Sequence, residues 1–215
     1  MRNRSRGRSA CNGKRDAKPQ YLFVVDGETE KWYLQQMISV EKITEFHIRP
    51  ELPKKKTLAS LCEFVKESSK LYDKVFWIID LDTILKEEKE KKSKSKSPLS
   101  DLKKYVSELK DVDNVFIIVN NPCLEFWYLQ HYKKTGRFYP QCNDIIKEFK
   151  GTELFGYKKT ERYYKKSKAD IYTKLKPMLA KAINNAKSLG TFDTNQTQKG
   201  VTEMYKIFER VNIMK

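Results

Sequence analysis

The sequence lacks any long apolar stretch, and this absence excludes two classes of protein. No apolar run approaches the roughly 20 residues that a membrane-spanning helix requires. The basic N-terminus is not followed by an apolar stretch of about 7–15 residues, which a secretory signal would contain. We therefore expect a cytoplasmic protein that contains no membrane span.

Histidine and cysteine are scarce, with 2 and 4 copies in 215 residues. The cysteines are widely spaced and form no CxxC pair; they are Cys11, Cys62, Cys123 and Cys142. Such spacing does not predict a structural zinc site or a disulfide framework, and it is typical of a protein from a reducing compartment.

Acidic residues are outnumbered, since 44 Lys and Arg face 28 Asp and Glu and give a formal net charge of +16. This excess favours a polyanionic partner such as nucleic acid. An anionic membrane surface is a weaker alternative, and solubility alone is the simplest one. The aromatic content of 12 % is too high for a disordered chain.

Four short apolar runs have the composition of buried strands, and helical spacing separates them. The predicted strands cover residues 21–25, 46–50, 75–79 and 115–119. This alternation predicts an α/β fold with a mostly parallel four-stranded sheet flanked by helices. After residue 138 the pattern becomes helical, with predicted helices at 142–150, 167–187 and 197–211.

The pattern divides the chain into three predicted parts. Residues 1–19 form a basic arm of low apolar content, which we expect to be disordered. Residues 20–138 form the α/β core, and 139–215 form a helical C-terminal extension packed on it. Within the core, residues 84–99 are rich in Lys, Glu and Ser, with no apolar face, and predict a mobile surface excursion that is partly helical at its start.

Acidic residues follow the first and third predicted strands, and another acidic residue lies just beyond the fourth. They are Asp26, Glu28 and Glu30, then Asp80 and Asp82, then Glu125. Ligands of open α/β sheets bind beyond the carboxyl ends of the strands, and clustered carboxylates favour Mg²⁺ or Mn²⁺. In an extended segment Asp80 and Asp82 would point to the same side. The alternative is that these acids only form turns and cap helices, as Thr29 would cap the helix after the first strand.

Cations and aromatic residues alternate late in the chain, a composition that suits contact with phosphates and exposed bases. The candidate nucleic-acid-binding residues are Arg162, Lys165 and Lys166, and Lys158 or Lys159 would stabilise charge in a phosphoryl transition state. The alternative is a solvated helix face with tyrosines packed over a core.

Three segments, in this order, resemble the RloB family: VVDGETEKWYL, VFWIIDLDT and IIVNNPCLEFWYLQHY. Tyr157 and Lys159 also resemble the family's Tyr-x-Lys element. The likeness spans roughly residues 20–210, and the first and third strands resemble the wider Toprim group of topoisomerases, primases and OLD-type nucleases.

The resemblance implies a Toprim-like Mg²⁺ site held by Asp26, Asp80 and Asp82, with Glu30 as the second acid of OLD-type nucleases. Glu125 would add a metal contact or orient water. The family's members are encoded in bacterial restriction and anti-phage loci, often beside an ATPase partner. The implied function is a nuclease of DNA or RNA in phage defence.

Asp26 departs from the family pattern, which has Glu at this position. Its side chain is one carbon shorter, and Mg²⁺ coordination is strict at about 2.0–2.1 Å. The alternative function is therefore a catalytically weak nucleic-acid-binding or regulatory subunit. A nucleotidyl transferase or topoisomerase would want a catalytic Tyr in a separate domain, for which this chain has no room.

Overall fold

One mixed sheet organises the chain in a computed structural model, which describes residues 18–43, 47–51, 57–92, 96–166 and 170–211, of residues 47–51 the backbone alone. The described residues form five strands: β1 (Gln20–Val24), β2 (His47–Glu51), β3 (Lys74–Asp80), β4 (Val115–Asn121) and β5 (Val201–Thr202). Their order in the sheet is β2-β1-β3-β4-β5. β1 to β4 are mutually parallel, and β5 is antiparallel to β4. The predicted α/β class, with a four-strand parallel set flanked by helices, is confirmed.

Helices cover both faces of this sheet. On one face lie α2 (Leu58–Ser69), α3 (Leu81–Glu90) and α4 (Pro98–Leu109). The other face carries α1 (Glu28–Val40), α5 (Glu125–Tyr132), α6 (Cys142–Lys147), α7 (Glu161–Lys165), α8 (Ile171–Leu175), α9 (Leu179–Ser188) and α10 (Tyr205–Val211). Because both faces are covered, the central strands are apolar throughout rather than alternating.

The alternation of side chains along each strand divides the core between the two faces. In β1, Phe23 packs with α1 and α5, whereas Leu22 packs with α2. In β3, Phe76 faces the same side as Phe23, and the two rings stack with centroids 4.5 Å apart. Each such buried side chain contributes about 1.5–3 kcal/mol to folding.

The structure corrects the prediction for the last part of the chain. Residues 197–211 were expected to be one helix, but Val201–Thr202 form β5, and only Tyr205–Val211 are helical. A two-residue strand leaves no pattern of its own, because it exists only through its pairing with β4. The predicted helix 167–187 is divided into α8, a 3₁₀ turn at Lys176–Met178 that contains Pro177, and α9; residues 167–169 lie outside the described residues.

The first part of the predicted surface excursion is helical, in agreement with the expectation for its early residues. Residues 84–90 continue α3, and Ile84 is buried against the core together with Leu81. This helix therefore has an apolar face. Leu81 lies before the polar tract of residues 84–99, and Ile84 is its first residue. No helix in the described ranges is long and apolar enough to cross a membrane.

Candidate active site at the carboxyl edge of the sheet

Four carboxylates lie together at the carboxyl edge of the parallel strands, and we call them the acidic cluster: Asp26, Glu30, Asp80 and Glu125. Asp26 follows β1, Glu30 lies in the first turn of α1, Asp80 ends β3, and Glu125 begins α5 just after β4. Glu30 and Glu125 are fully buried, and Asp80 is half-buried. The fold thus brings together acids that are separated by up to about a hundred residues in the chain.

Asp80 accepts two hydrogen bonds, one from β4, which neighbours β3 in the sheet, and one from the turn between β4 and α5. Its Oδ1 accepts from Nδ2 of Asn120 at 3.0 Å, and its Oδ2 accepts from the backbone N–H of Leu124 at 3.0 Å. Asn120 is itself oriented by β5, because the Thr202 hydroxyl donates to its Oδ1 at 2.7 Å. Burial, followed by the charges of Glu30 and Glu125, raises the pKa of Asp80 well above its usual value, while the two hydrogen bonds act in the opposite direction.

Glu30 is buried in the first turn of α1, with the Thr29 hydroxyl 3.1 and 3.2 Å from its two carboxylate oxygens. Burial, with smaller contributions from Glu125 and Asp26, raises the pKa of Glu30 to about 7. Gly27, not Thr29, is the N-cap residue of α1, so the predicted cap is wrong. A Cβ at Gly27 would lie 2.6 Å from Oε2 of Glu30, so this glycine makes room for the carboxylate.

Glu125 is joined to the segment before α7 by two contacts on one oxygen. Its Oε1 accepts from the Tyr157 hydroxyl at 2.7 Å and from Nζ of Lys159 at 2.9 Å. Its Oε2 is buried and has no hydrogen-bond partner among the described residues. Burial lowers the pKa of Lys159, but the Glu125 charge and hydrogen bond, with Asp80 and Glu30 beyond, raise it above its ordinary value.

Two tyrosines extend this arrangement away from the cluster. The Tyr157 and Tyr164 hydroxyls share a short hydrogen bond, and that of Tyr128 donates to Tyr164 at 3.4 Å. Burial and the Glu125 charge raise the pKa of Tyr157 well above its usual value, so it remains a neutral donor. The Tyr-x-Lys spacing of Tyr157 and Lys159 is visible in the sequence, but the role of the Tyr157 hydroxyl as a donor to Glu125 is not. In an extended segment this spacing places both side chains on one side.

Asp82, predicted as a metal ligand beside Asp80, has different surroundings. The assumption of an extended segment is wrong, because α3 begins at Leu81 and turns the two side chains apart. Asp82 Oδ1 accepts from the backbone N–H of Thr83 at 2.8 Å, and its Oδ2 lies 3.1 Å from Sγ of Cys142. The structure therefore brings Asp80, but not Asp82, into the acidic cluster.

Cys123 and Cys142 form a disulfide, a pairing that the sequence analysis did not predict when it argued against a disulfide framework. The two residues are 19 positions apart in sequence, but the chain turns back after α5, so that the start of α6 meets the start of the 123–132 segment. Sequence spacing alone did not reveal this return. Cys62 is a free, buried cysteine.

The acidic cluster has the donor chemistry that a divalent cation prefers, although it does not form a closed cage of ligands. Among the described residues, the potential ligand atoms found within 4.8 Å of one another belong to Cys123, Glu125 and Cys142, and the disulfide already uses both sulfurs. Mg²⁺ takes oxygen ligands, often one or two carboxylates with several waters. The raised pKa values of Glu30 and Asp80 and the unpartnered Oε2 of Glu125 fit such an ion.

The remaining predicted cations lie outside the cluster. Lys158, Arg162, Lys165 and Lys166 are exposed, and Lys165 pairs with Glu161 of its own helix at 2.8 Å. Within the described ranges, Lys159 is the member of this group that forms an ion pair with the acidic cluster. His131 is buried, its Nδ1 lies 3.0 Å from the Trp127 carbonyl oxygen, and burial lowers its pKa to about 3, so it is a structural residue.

Two cavities flank the acidic cluster, and they differ in charge. The first, of about 450 Å³, has four acidic residues and no basic residue in its lining: Asp26, Asp80, Glu87 and Asp101. The second, of about 780 Å³, lies between α3 and the 138–143 segment, and we call it the lysine cleft. Its charged lining residues are Asp82, Lys86, Lys89, Glu90 and Lys159. Lys86 and Lys89 were not singled out as site residues from the sequence.

Comparison with known proteins gives one family. The family model described as RloB-like protein matches residues 21–211, which is most of the chain. Neither the curated proteins nor the solved structures gave a significant match.

Proposed function

The chain belongs to the family of RloB-like proteins, and from that premise we propose that it is a Mg²⁺- or Mn²⁺-dependent nuclease of Toprim type. Its substrate would be the phosphodiester backbone of DNA or RNA, and its setting would be bacterial anti-phage defence. The proposal extends to an ATPase partner, as the resemblance implies.

One observation carries the proposal: the buried carboxylates meet at the edge of the sheet where ligands of α/β folds bind. Burial of an ionised carboxylate is costly unless a partner compensates it. The charge of Glu125 raises the pKa of both Glu30 and Asp80, and the charge of Glu30 raises that of Asp80 further. Acids that only capped helices would not need to converge in this way, and the chain around them carries a net charge of +16.

The carboxylates of the acidic cluster and Lys159 have separate roles in the proposed reaction. Asp80 and Asp26 would hold the cation, which when bound would polarise the phosphate and lower the pKa of a bound water. Glu30, with a pKa of about 7, is suited to accept a proton from that water at neutral pH. Lys159 places a cation beside Glu125, where it would neutralise charge on the phosphate.

The deciding experiment incubates the protein with labelled single- and double-stranded DNA, tRNA and bulk RNA, in Mg²⁺, Mn²⁺ or EDTA. We expect cleavage of at least one substrate with a divalent cation and none in EDTA. Asp80→Asn should abolish cleavage, and Asp111→Asn, which changes an exposed carboxylate, should not. Cleavage that persists undiminished in Asp80→Asn would contradict the assignment.

A regulatory or binding subunit is the second candidate, and a specific observation favours it. Asp26 stands where the family has Glu, so the donor set is shorter at one position. Lys159 also already neutralises one oxygen of Glu125. In this case the protein would bind nucleic acid, and chemistry would appear only with the partner, or not at all. Two results together distinguish this case: the protein alone binds nucleic acid without cleaving it, and any cleavage by the complex with an ATPase partner persists when this chain carries Asp80→Asn.

A further inference from the structure

The lysine cleft joins the acidic cluster to the outer surface on one side. Lys159 contacts Glu125 and also lines the cleft, and Asp82, two residues after Asp80, lines it as well. Thr83 lines both cavities, so α3 separates them. A phosphate at Lys159 would therefore lie at the inner end of the cleft, next to the acidic cluster.

Charge selects this cleft over the first cavity as the place for a polyanion. The first cavity has only acidic residues among its charged lining, and it would repel phosphates. The lysine cleft has three lysines against two acids. Lys86 and Lys89 are exposed residues one turn apart on α3, and neither forms an ion pair within the described residues. Their charges are therefore available to phosphates.

The opposite wall offers contacts for bases rather than for phosphates. It includes Phe138, Tyr139, Pro140, Gln141 and Asn143, together with Pro122 and Cys142. Phe138 lines the cleft and is half-buried, whereas the Tyr139 ring is buried and its hydroxyl donates to Glu148, so Phe138 is the more exposed of the two rings. Gln141 and Asn143 are exposed amides, which can donate to and accept from base edges.

We propose that the lysine cleft binds single-stranded nucleic acid, with the backbone along Lys86 and Lys89, a base on Phe138, and a phosphate delivered to Lys159. This deepens the proposed function, on which it rests, by naming the strand state of the substrate. Stacking on a side chain requires an unpaired base, because the faces of paired bases are covered by their neighbours. A volume of about 780 Å³ lies within the range of ligand sites.

The test measures binding without catalysis, by fluorescence anisotropy of labelled oligonucleotides in EDTA. Single-stranded DNA, single-stranded RNA and the matching duplexes are the four probes. We expect single strands to bind at least tenfold more tightly than duplexes. The DNA and RNA arms show which sugar the cleft accepts.

Two sets of variants locate the binding. Lys86→Gln/Lys89→Gln should weaken single-strand binding about tenfold and reduce the salt slope by about 1.4, which is two phosphate contacts at about 0.7 each. Lys103→Gln/Lys110→Gln removes the same charge from exposed positions outside the cleft and should change neither. Phe138→Leu should lose about tenfold with an unchanged salt slope, since stacking involves no counterion release. Thermal melting of each variant establishes that it is folded.

Equal losses in the two lysine pairs would overturn the cleft assignment, as would duplexes that bind as tightly as single strands. The outcome is separable from that of the nuclease proposal. If Asp80→Asn still binds and no variant or wild type cleaves, the nuclease fails and the cleft stands. If the wild type cleaves but the lysine cleft variants bind normally, the reverse holds.

Discussion

At the scale of single residues, the buried carboxyl of Glu30 makes the free energy of unfolding depend on pH, and the direction of this dependence can be stated. Its pKa in the folded state is about 7, compared with the usual 4.5. Between these two pH values the folded state keeps a proton that the unfolded state has lost. Stability therefore falls as the pH rises from about 4.5 to about 7 and then levels off. At about 1.4 kcal/mol per pKa unit, the loss is about 3 kcal/mol.

Glu30→Gln should flatten this dependence, because the amide keeps the shape but cannot ionise. We expect urea unfolding to show a smaller difference between about pH 5 and about pH 8 in the variant than in the wild type. The remaining slope belongs to Asp80, whose pKa is raised in the same direction. Glu28→Gln changes the exposed acid in the same turn and should retain the full pH dependence. An identical pH dependence in both variants would show that ionisation of the buried Glu30 does not cause it.

Asp80 allows a test of the metal that does not depend on activity. A divalent cation would bind the ionised acidic cluster and relieve its repulsion, so Mg²⁺ should raise the melting temperature at about pH 8 and much less at about pH 5. Asp80→Asn should abolish the Mg²⁺-induced shift, whatever its own melting temperature, while Asp111→Asn should keep it. A shift of the same size in Asp80→Asn would remove Asp80 from the ligand set.

At the scale of secondary-structure elements, the site depends on a segment that leaves the sheet and returns to it. Residues 157–159 dock on α5 through Glu125, which is 32 residues away from Tyr157 in the chain. Tyr157→Phe removes the hydroxyl that donates to Glu125 and shares a hydrogen bond with Tyr164. The buried Oε1 of Glu125 then keeps only Lys159 as a donor. We therefore expect the free energy of unfolding in urea to fall by about 1–3 kcal/mol.

Tyr105→Phe is the matched control for this prediction. Tyr105 is half-buried on α4, and its hydroxyl makes no hydrogen bond within the described residues. We expect its loss to be within about 0.5 kcal/mol of zero. A comparable loss in both variants would show that the Tyr157 hydroxyl contributes nothing specific to the docking of residues 157–159.

The same elements show what the sequence could predict and where it failed. The apolar runs that became β1, β3 and β4 predicted their own strands, because a central parallel strand is buried on both faces. Because the carboxyl ends of parallel strands meet at one edge of a sheet, Asp80 was expected to lie near the residues after β1 and β4. What failed was non-local or fell at a boundary: β5 exists only against β4, and the Cys123–Cys142 pair requires the chain to return after α5.

Asp82 shows how a boundary of one residue changes a site. The motif Asp-Leu-Asp has the same letters in a strand and at a helix start, but only the strand places both carboxylates on one side. α3 begins between the two acids, and Asp82 is turned toward Cys142 and the lysine cleft. Glu125 shows the opposite outcome, because its place after a buried strand correctly indicated that it would reach the same edge as Asp80.

At the scale of the whole molecule, the charge is divided between an acidic interior site and a basic exterior. The net charge is +16, although the acidic cluster contributes four negative positions. If the proposed function holds, the basic exterior would attract nucleic acid from a distance, and salt would weaken these exposed charges more than the buried ones. The association rate should therefore fall steeply as salt increases.

Residues 1–19 carry a separate share of that charge, with seven basic residues: Arg2, Arg4, Arg6, Arg8, Lys14, Arg15 and Lys18. Residues 1–17 lie outside the described residues, so the prediction rests on charge alone. Deletion of 1–19 should weaken nucleic-acid binding and reduce its salt slope by up to about 5, which is seven contacts at about 0.7 each. The preference for single strands should persist, because it belongs to the lysine cleft. The measurement is the binding constant of the full and shortened chains over a range of salt concentrations. An unchanged slope would show that the segment contacts no phosphates, and a lost preference would transfer strand recognition from the lysine cleft to residues 1–19.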